Sequence, residues 1–377
     1  MSDQLRILLS GGGTGGHVYP ALAVAATAAA SARDVDFRFV GSAHGLERDI
    51  VARTSVPYDA IDAGAFRGRS PLAALVSIWR NLRGAGQSLS LLRRYQPDAI
   101  LVTGGFVCVP VALAARMLGV PVAVYLPDLR PGWAVRFVAR FATVVAVSFD
   151  DVVDHVTARR VVVTGYPVRP EFGSWDRAKG RASLGIPDVL PLVLVLGGSR
   201  GARNINEAMV GGASEVTARA YVIHATGALH IDAMRDQIGQ LPSTVQERYR
   251  LFPYLETEIA PALAAASIVI ARAGASVLGE LPRVGAPAIL VPGTFAGGHQ
   301  ALNAKFMADR GAAVVVQDRD LPGGELIRLL GELLDDAPRL NAMSLNSRSM
   351  GRPDAAAALF DLVEQIARRP LAIAGSR

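Results

Sequence analysis

The pattern that most constrains this chain occurs twice: an apolar run stops at a cluster of glycines and passes at once into a helical window. Arg6-Ile-Leu-Leu-Ser10 runs into Gly11-Gly-Gly-Thr-Gly-Gly16, and Leu192-Val-Leu-Val-Leu196 runs into Gly197-Gly-Ser-Arg-Gly201. Each reads as a buried strand, a turn that allows close backbone approach, and a helix start. Around these anchors short β-forming runs alternate with Ala-rich windows. The runs predict strands over 5–9, 36–40, 99–103, 121–125, 143–147 and 160–164, then 192–196, 220–224, 249–252, 267–271, 287–291 and 312–316. Such alternation predicts parallel sheets with right-handed crossovers. The fold class is therefore α/β, with two Rossmann-like domains, and 377 residues suffice for two cores.

Two prolines and a glycine interrupt the pattern at Thr164-Gly-Tyr-Pro-Val-Arg-Pro-Glu-Phe172. Residues 1–163 are read as the first domain, 164–172 as a linker and 173–350 as the second domain. A last helix over 351–369 crosses back towards the first domain in this reading, and 370–377 form a loose tail.

The formal charge of +6 is almost all arginine, with Lys179 and Lys305 the only lysines. No nucleic-acid module signature accompanies it, so a nucleic-acid partner is not expected; anionic phosphates or an anionic membrane surface fit at least as well. A single cysteine, Cys108, makes no disulfide framework and suits a reducing compartment. The N-terminus moves straight into a strand rather than a signal peptide. The longest apolar stretch, Val107 to Leu126, carries Arg116, Pro110 and Pro121, and reads as a buried helix then a strand.

The first glycine cluster satisfies G-x-G-x-x-G, the dinucleotide fingerprint. The second strand, however, ends Phe37-Arg-Phe-Val-Gly41 with no acid for a ribose, and no Lys-Ser/Thr pair follows the glycines to make a P-loop. What remains is a helix N-terminus offering N–H groups to polar or anionic oxygens. His17 directly follows, and an imidazole there can take a proton from an attacking hydroxyl; the plainer reading is a helix-start histidine bonded to backbone. Gly197 to Ala202 repeats the device with a hydroxyl at Ser199. Arg272-Ala-Gly-Ala-Ser-Val-Leu-Gly-Glu280 follows a strand, and Glu280 can accept both hydroxyls of a ribose. Pro292-Gly-Thr-Phe-Ala-Gly-Gly-His-Gln300 leaves His299 and Gln300 at another helix start.

Two acidic groups are read as decoys. Asp34-Val-Asp36 matches a metal-binding D-x-D but precedes its strand, and Asp150, Asp151 and Asp154 are read as helix caps. No cluster has metal-ligand spacing, so no metal is expected. From Ala63 to Pro97 there is no acid but six arginines, and Leu72, Leu75, Val76, Trp79 and Leu82 recur at helical spacing. Two readings stay open for this stripe: ordinary core, or a membrane-surface helix in which Trp79 and Arg80 meet the headgroups.

Taken together, Gly12-Gly-Thr-Gly-Gly-His17, Gly104-Gly-Phe106, Gly165-Tyr-Pro-Val-Arg169, Gly197-Gly-Ser-Arg-Gly-Ala202, Arg272-Ala-Gly-Ala275 with Glu280, and His299-Gln300 with Asn303-Ala304 resemble glycosyltransferase family 28. The likeness is to its peptidoglycan branch and spans residues 5 to about 365. The resemblance implies a GT-B fold, two parallel sheets facing across a cleft. It implies a UDP-GlcNAc donor held mainly by the second domain and the undecaprenyl-linked acceptor lipid I met by the first. Inverting transfer to the MurNAc C4 hydroxyl would give lipid II for cell-wall biogenesis, at the cytoplasmic face of the bacterial cell membrane. UDP-GlcNAc is then a substrate, and no cofactor is implied.

Carried onto this chain, the resemblance has Leu255 offering backbone to uracil under Tyr254, Arg169 approaching from the linker and Glu280 holding ribose. Ser199 and Gly201 serve the phosphate, with Ala275, Ser276, His299 and Gln300 reaching phosphates and sugar. Thr14, Gly15 and Gly16 complete the site, with His17 as base and Gly104, Gly105 and Phe106 on the acceptor side. One stretch departs: the family's His-Glu-Gln-Asn is Tyr125-Leu-Pro-Asp128 here, so Asp128 stands for the donor-contacting Asn and Leu126 for Glu. That departure keeps open a related transferase with another lipid acceptor, or a silent sugar-nucleotide binder. The glycine fingerprint alone keeps open a nicotinamide oxidoreductase.

Overall fold

The computed structural model describes residues 4–64, 71–197, 202–293 and 298–368, with side chains left undescribed at 71–76 and 78. The chain divides into two compact units, residues 1–170 with 352–377 and residues 171–351. Each is built on an all-parallel sheet, the α/β class that the alternating pattern predicts.

Unit 1 carries β1 (Leu5–Gly11), β2 (Val35–Ser42), β3 (Tyr58–Ile61), β4 (Ala99–Gly104), β5 (Val122–Leu126), β6 (Val144–Val147) and β7 (Val161–Val163), in the order β3-β2-β1-β4-β5-β6-β7. Its helices are α1 (Gly15–Ala30), α2 (Leu46–Val51), α3 (Pro71–Tyr95), α4 (Cys108–Leu118) and α5 (Trp133–Ala139). Ile7, Leu8 and Leu9 are fully buried, as are Val144 to Val147, which is why these strands read as unbroken apolar runs: helices cover both faces. One core holds Leu8, Val102 and Val124 against α3, α4 and α5; the other holds Ile7, Leu9 and Leu101 against α1. The strand β3 has no counterpart among the predicted strands. Tyr58-Asp-Ala-Ile61 is short and partly polar, and it is held by pairing with β2 (Phe39↔Tyr58) rather than by its own propensity.

Unit 2 carries α6 (Arg177–Leu184), β8 (Leu192–Leu196), α7 (Arg203–Gly211), α8 (Ala213–Thr217), β9 (Tyr221–Ala225), α9 (Ile231–Gly239), α10 (Ser243–Gln246), β10 (Tyr249–Phe252) and α11 (Ile259–Ala265). It continues with β11 (Ile268–Ala271), α12 (Glu280–Val284), β12 (Ala288–Leu290), α13 (His299–Asp309), β13 (Ala313–Val315), α14 (Glu325–Asp335) and α15 (Ala337–Met350). The sheet order β10-β9-β8-β11-β12-β13 repeats the scheme of unit 1. The last helix, α16 (Ala355–Arg368), belongs to unit 1, where Leu359, Phe360, Val363 and Ile366 are buried with Val18 and Leu22 of α1. Each such side chain stabilises the fold by roughly 1.5–3 kcal/mol.

In both sheets strand order reverses at one place, between β1 and β4 and between β8 and β11. Loops leaving the carboxyl ends there diverge to opposite faces and open a crevice. The first glycine cluster lies at the β1–β4 point, and Gly197 follows β8 at the other. Asp34 and Asp36 flank the start of β2, at the amino edge. Asp150 and Asp151 are not caps, a correction: the cap of their short 3-10 helix is Phe149, and Asp150 accepts from Arg352 at 3.2 Å.

Unit 2 buries one imidazole completely. His224 Nδ1 lies 2.9 Å from Tyr249 Oη and Nε2 lies 3.0 Å from Asn206 Oδ1, and Asn206 donates to Thr226 O at 2.9 Å. Burial pushes its pKa down from 6.5 to about 3. Between those values the unfolded chain binds the proton and the folded unit does not, so stability falls as pH falls through that window. Urea unfolding at about pH 7.5 and about pH 5.5 should show His224→Gln losing ~1.4 kcal/mol less than wild type between the two; equal losses would contradict a neutral His224.

Candidate active site

In unit 1 the switch point is made by glycines that leave no room for side chains. Gly12 N–H donates to Gly104 O at 3.1 Å, tying the loop after β1 to the loop after β4. A Cβ at Gly11 would fall 2.2 Å from Thr103 Oγ1, and one at Gly105 (φ +87°) 2.4 Å from Gly12 O. The β1–β4 register slips between Ser10 and Gly11, which turns the chain out of the sheet at this place. Thr103 donates to His17 O and, at 3.3 Å, to Ser10 O, so β4 holds the first turn of α1.

His17 is set by this frame. Its Nδ1 lies 2.9 Å from Gly12 O and 3.4 Å from Thr14 Oγ1. A carbonyl oxygen can only accept, so Nδ1 carries the hydrogen and Nε2 keeps a free lone pair in the neutral ring. The Nε2 edge lies against Gly104 (φ +123°), where a Cβ would sit 2.8 Å from Cδ2 and 2.9 Å from Nε2. Thr14 is the N-cap of α1 but its side chain does not close the cap; the His17 N–H donates to Thr14 O at 3.1 Å, and the Gly15 and Gly16 N–H groups stand at the open end of the helix. Thr14, Gly15, Gly16, His17, Gly104, Gly105 and Phe106 are thus brought together, with Phe106 exposed.

Asp128 is half-buried on the loop after β5, one strand away. Leu126 is buried in the α3–α5 core, so the family's Glu position faces inward here. Tyr125 is buried too, its hydroxyl 2.7 Å from Ser148 Oγ, and burial raises its pKa well above 10. The Arg169 guanidinium stacks 4.7 Å from the centre of the Tyr19 ring, two residues beyond His17.

In unit 2 the loops after β10, β11 and β12 carry the expected groups. The Leu255 side chain is buried and Tyr254 beside it is 41% exposed. Gly274 has φ −65° and a Cβ there would meet nothing, so neither conformation nor packing asks for glycine. The space beside it is open. Ala275 and Ser276 open a 3-10 turn behind it, and Glu280 begins α12, half-buried. Asn303 Nδ2 donates to Ala273 O at 3.1 Å, and Gly293 N–H donates to Gln300 Oε1 at 2.8 Å, bracing the loops after β11 and β12. His299 starts α13. Ser199 and Gly201 lie outside the described residues, as do the side chains of Leu72, Leu75 and Val76. On α3, Trp79 and Leu82 are 63% and 67% exposed and Arg80 is exposed, so this end of the stripe is not core.

Three groups had no legible signal. Glu47 on α2 is buried and accepts from Gly13 N–H at 3.2 Å and Ser42 N–H at 2.9 Å. Cys108 lies under Gly104, donating to its carbonyl at 2.8 Å, and burial pushes the thiol up to about 11. Arg272 pairs with Asp318 at 2.5 Å, and Asp318 accepts from Asn204 at 2.7 Å, which links the exits of β8, β11 and β13. The reach of Glu47 back to Gly13 is a tertiary fact that no local pattern carries.

Comparison with known proteins now decides the family. The description "Glycosyltransferase family 28 N-terminal domain" matches residues 7–147 and "Glycosyltransferase family 28 C-terminal domain" matches residues 192–359. The chain belongs to glycosyltransferase family 28. Among family 28 relatives, a protein of Desulforudis audaxviator is 41% identical over 96% of this chain and 99% of its own length. Another from Bacillus licheniformis is 35% identical, covering 96% and 99%. Both are named UDP-N-acetylglucosamine–N-acetylmuramyl-(pentapeptide) pyrophosphoryl-undecaprenol N-acetylglucosamine transferase. The crystal structure of MurG from Acinetobacter baumannii aligns with a TM-score of 0.74 at 26% identity, over 96% of this chain and 99% of that one. CalG4, the calicheamicin glycosyltransferase, aligns at 0.68 and 17% identity over 96% and 98%, a likeness of fold.

Gly104→Ala should displace the His17 ring and strain the loop, cutting turnover about a hundredfold. Glycosyl-transfer kinetics on variant protein with a wild-type circular dichroism spectrum would check this, and unchanged turnover would contradict the placement.

Proposed function

We propose that this family 28 enzyme transfers GlcNAc from UDP-GlcNAc to the C4 hydroxyl of MurNAc on undecaprenyl-linked lipid I, giving lipid II for peptidoglycan. The observation that carries the reading is His17, held as the Nδ1–H tautomer with Nε2 free at a helix start. The near-full-length relatives bearing that activity's name support the choice of substrates.

In this reading unit 2 holds the donor. Leu255 gives its backbone to uracil under Tyr254: among the described residues neither its N–H nor its C=O bonds to another backbone group, which suits a base edge with one acceptor and one donor. Glu280 takes the ribose hydroxyls, while Ser199, Gly201, Ala275, Ser276, His299 and Gln300 line the phosphates and sugar. Arg169 adds positive charge and Asp128 faces the sugar. The dipole of α7, the helix that follows β8, takes up charge on the leaving diphosphate, so the reaction proceeds without a metal.

Unit 1 supplies the base and meets the acceptor. Nε2 of His17 removes the C4 hydroxyl proton as that oxygen bonds to the anomeric carbon, and the bond from that carbon to the diphosphate breaks with its electrons leaving on UDP. The configuration inverts. Gly104, Gly105 and Phe106 border the acceptor, and Thr14 to Gly16 bind beside the base.

No helix among the described residues is long and apolar enough to cross a membrane. We propose instead a peripheral position on the cytoplasmic face. Trp79 and Leu82 stand exposed on α3 with Arg80 and Arg83 beside them, the pairing of apolar anchor and cation that suits anionic headgroups.

His17→Ala should lower kcat by about a hundredfold or more while UDP still raises the melting temperature; near-normal turnover would remove His17 as base. Glu280→Ala should raise KM for UDP-GlcNAc about tenfold or more, and an unchanged KM would displace the ribose contact. Trp79→Ala with Arg80→Ser should weaken binding to phosphatidylglycerol vesicles, about tenfold at low salt and less at high salt. Equal partitioning would retire the membrane face.

A further inference from the structure

The Gly12–Gly13 peptide stands between two side chains. Its carbonyl oxygen accepts from His17 Nδ1 at 2.9 Å, and its N–H donates to Glu47 Oε2 at 3.2 Å. The other carboxylate oxygen, Oε1, accepts from Ser42 N–H at 2.9 Å and from the Ser42 hydroxyl at 2.5 Å. Glu47 is 1% exposed. The glycines around it allow this: a Cβ at Gly12 would fall 2.8 Å from Oε1, one at Gly41 2.7 Å from Cγ, and one at Gly45 2.2 Å from Cδ. A buried carboxylate is costly unless its lone pairs are filled, and here backbone N–H groups and a hydroxyl fill them.

We propose that Glu47 is a positioning residue for His17 and acts on it through the Gly12–Gly13 peptide. A carboxylate bonded to an amide N–H draws the proton side of that dipole and leaves the carbonyl oxygen richer in electrons. Hydrogen bonds in series strengthen one another in this way. The enriched carbonyl is a stronger acceptor for Nδ1–H, so it holds the tautomer that leaves Nε2 bare and stabilises the imidazolium formed when the acceptor hydroxyl gives up its proton. This is the logic of an acid behind a catalytic histidine, with one peptide group interposed. No proton crosses the amide: it passes from the hydroxyl to Nε2 and from there to solvent, and Glu47 stays charged throughout.

The neighbouring ionisable groups are otherwise engaged. Tyr58 donates to Ser42 O at 2.7 Å, and its phenol is raised by burial and then by the Glu47 charge. Cys108 donates to Gly104 O and Ser10 O. Tyr19 lies under Arg169. On α16, Asp361 and Glu364 bond Arg33, just beyond the far end of α1.

The proposal rests on His17 being the base, and the experiment separates the two ideas. Wild type, His17→Ala and Glu47→Gln are compared for transfer kinetics, for stabilisation by UDP, and for the labelling rate of Cys108, which reports whether the glycine loops stay packed. The expected result for Glu47→Gln is a kcat about tenfold lower, the loss when a charge-assisted hydrogen bond becomes a neutral one, with UDP stabilisation and Cys108 labelling unchanged. An active His17→Ala overturns the base reading and the relay with it. An inactive His17→Ala beside a wild-type kcat in Glu47→Gln overturns the relay alone. So does a lower kcat accompanied by rapid Cys108 labelling, which assigns Glu47 to loop packing. Nitrogen-15 spectra of histidine-labelled wild type test the relay without any variant: the Nδ1–H tautomer at His17 supports it and the Nε2–H tautomer overturns it.

Discussion

Everything at the proposed catalytic end of unit 1 depends on one close approach, that of the Gly11–Gly13 backbone to the Gly104–Gly105 backbone. The 3.1 Å bond from Gly12 N–H to Gly104 O forms because no side chain intervenes. His17 then has a carbonyl on one side and a bare glycine on the other. Its ring is oriented chiefly by backbone, with the Thr14 hydroxyl 3.4 Å from Nδ1, so little side-chain ordering is needed when substrate arrives. The same approach explains why Cys108 is a small buried thiol, since it fills the space beneath Gly104.

Unit 2 repeats the strand order of unit 1 and uses its switch point differently. Where unit 1 packs Gly11, Gly12, Gly104 and Gly105 shut, Gly274 is open, and its neighbours are braced from behind by Asn303 and by the Arg272–Asp318–Asn204 chain. A rigid loop with exposed amides suits a diphosphate, whereas a tightly seated imidazole suits proton transfer. One architecture therefore presents two kinds of crevice, set by whether a glycine faces backbone or space.

Much of this was legible in the residues because it rests on local pattern. Unbroken runs such as Ile7-Leu-Leu9 and Val144-Val-Ala-Val147 announce strands buried on both faces, and glycines after them announce the crevices. His17 and Glu280 stand out as candidates because they lie at fixed offsets from those glycines. The strand Tyr58–Ile61 was not, since its pairing with β2 and not its composition makes it a strand. Glu47 was not legible either: its bond to Gly13 spans a loop closure that no periodicity encodes. The acids at 150 and 151 misled because Asp-Asp before an apolar residue looks like a cap, while the chain places Phe149 there. The exposed Trp79 and Leu82 share spacing with a buried stripe, and spacing alone cannot tell solvent from core.

In the proposed reaction unit 2 holds the nucleotide sugar, unit 1 supplies the base, and the chemistry is a single displacement at the anomeric carbon. The most direct measurement is the configuration of the new linkage, read by proton nuclear magnetic resonance of the disaccharide formed from UDP-GlcNAc and lipid I. A β-linked GlcNAc, inverted from the α-linked donor, is the result the account requires. An α linkage, or free GlcNAc with no disaccharide, would contradict it.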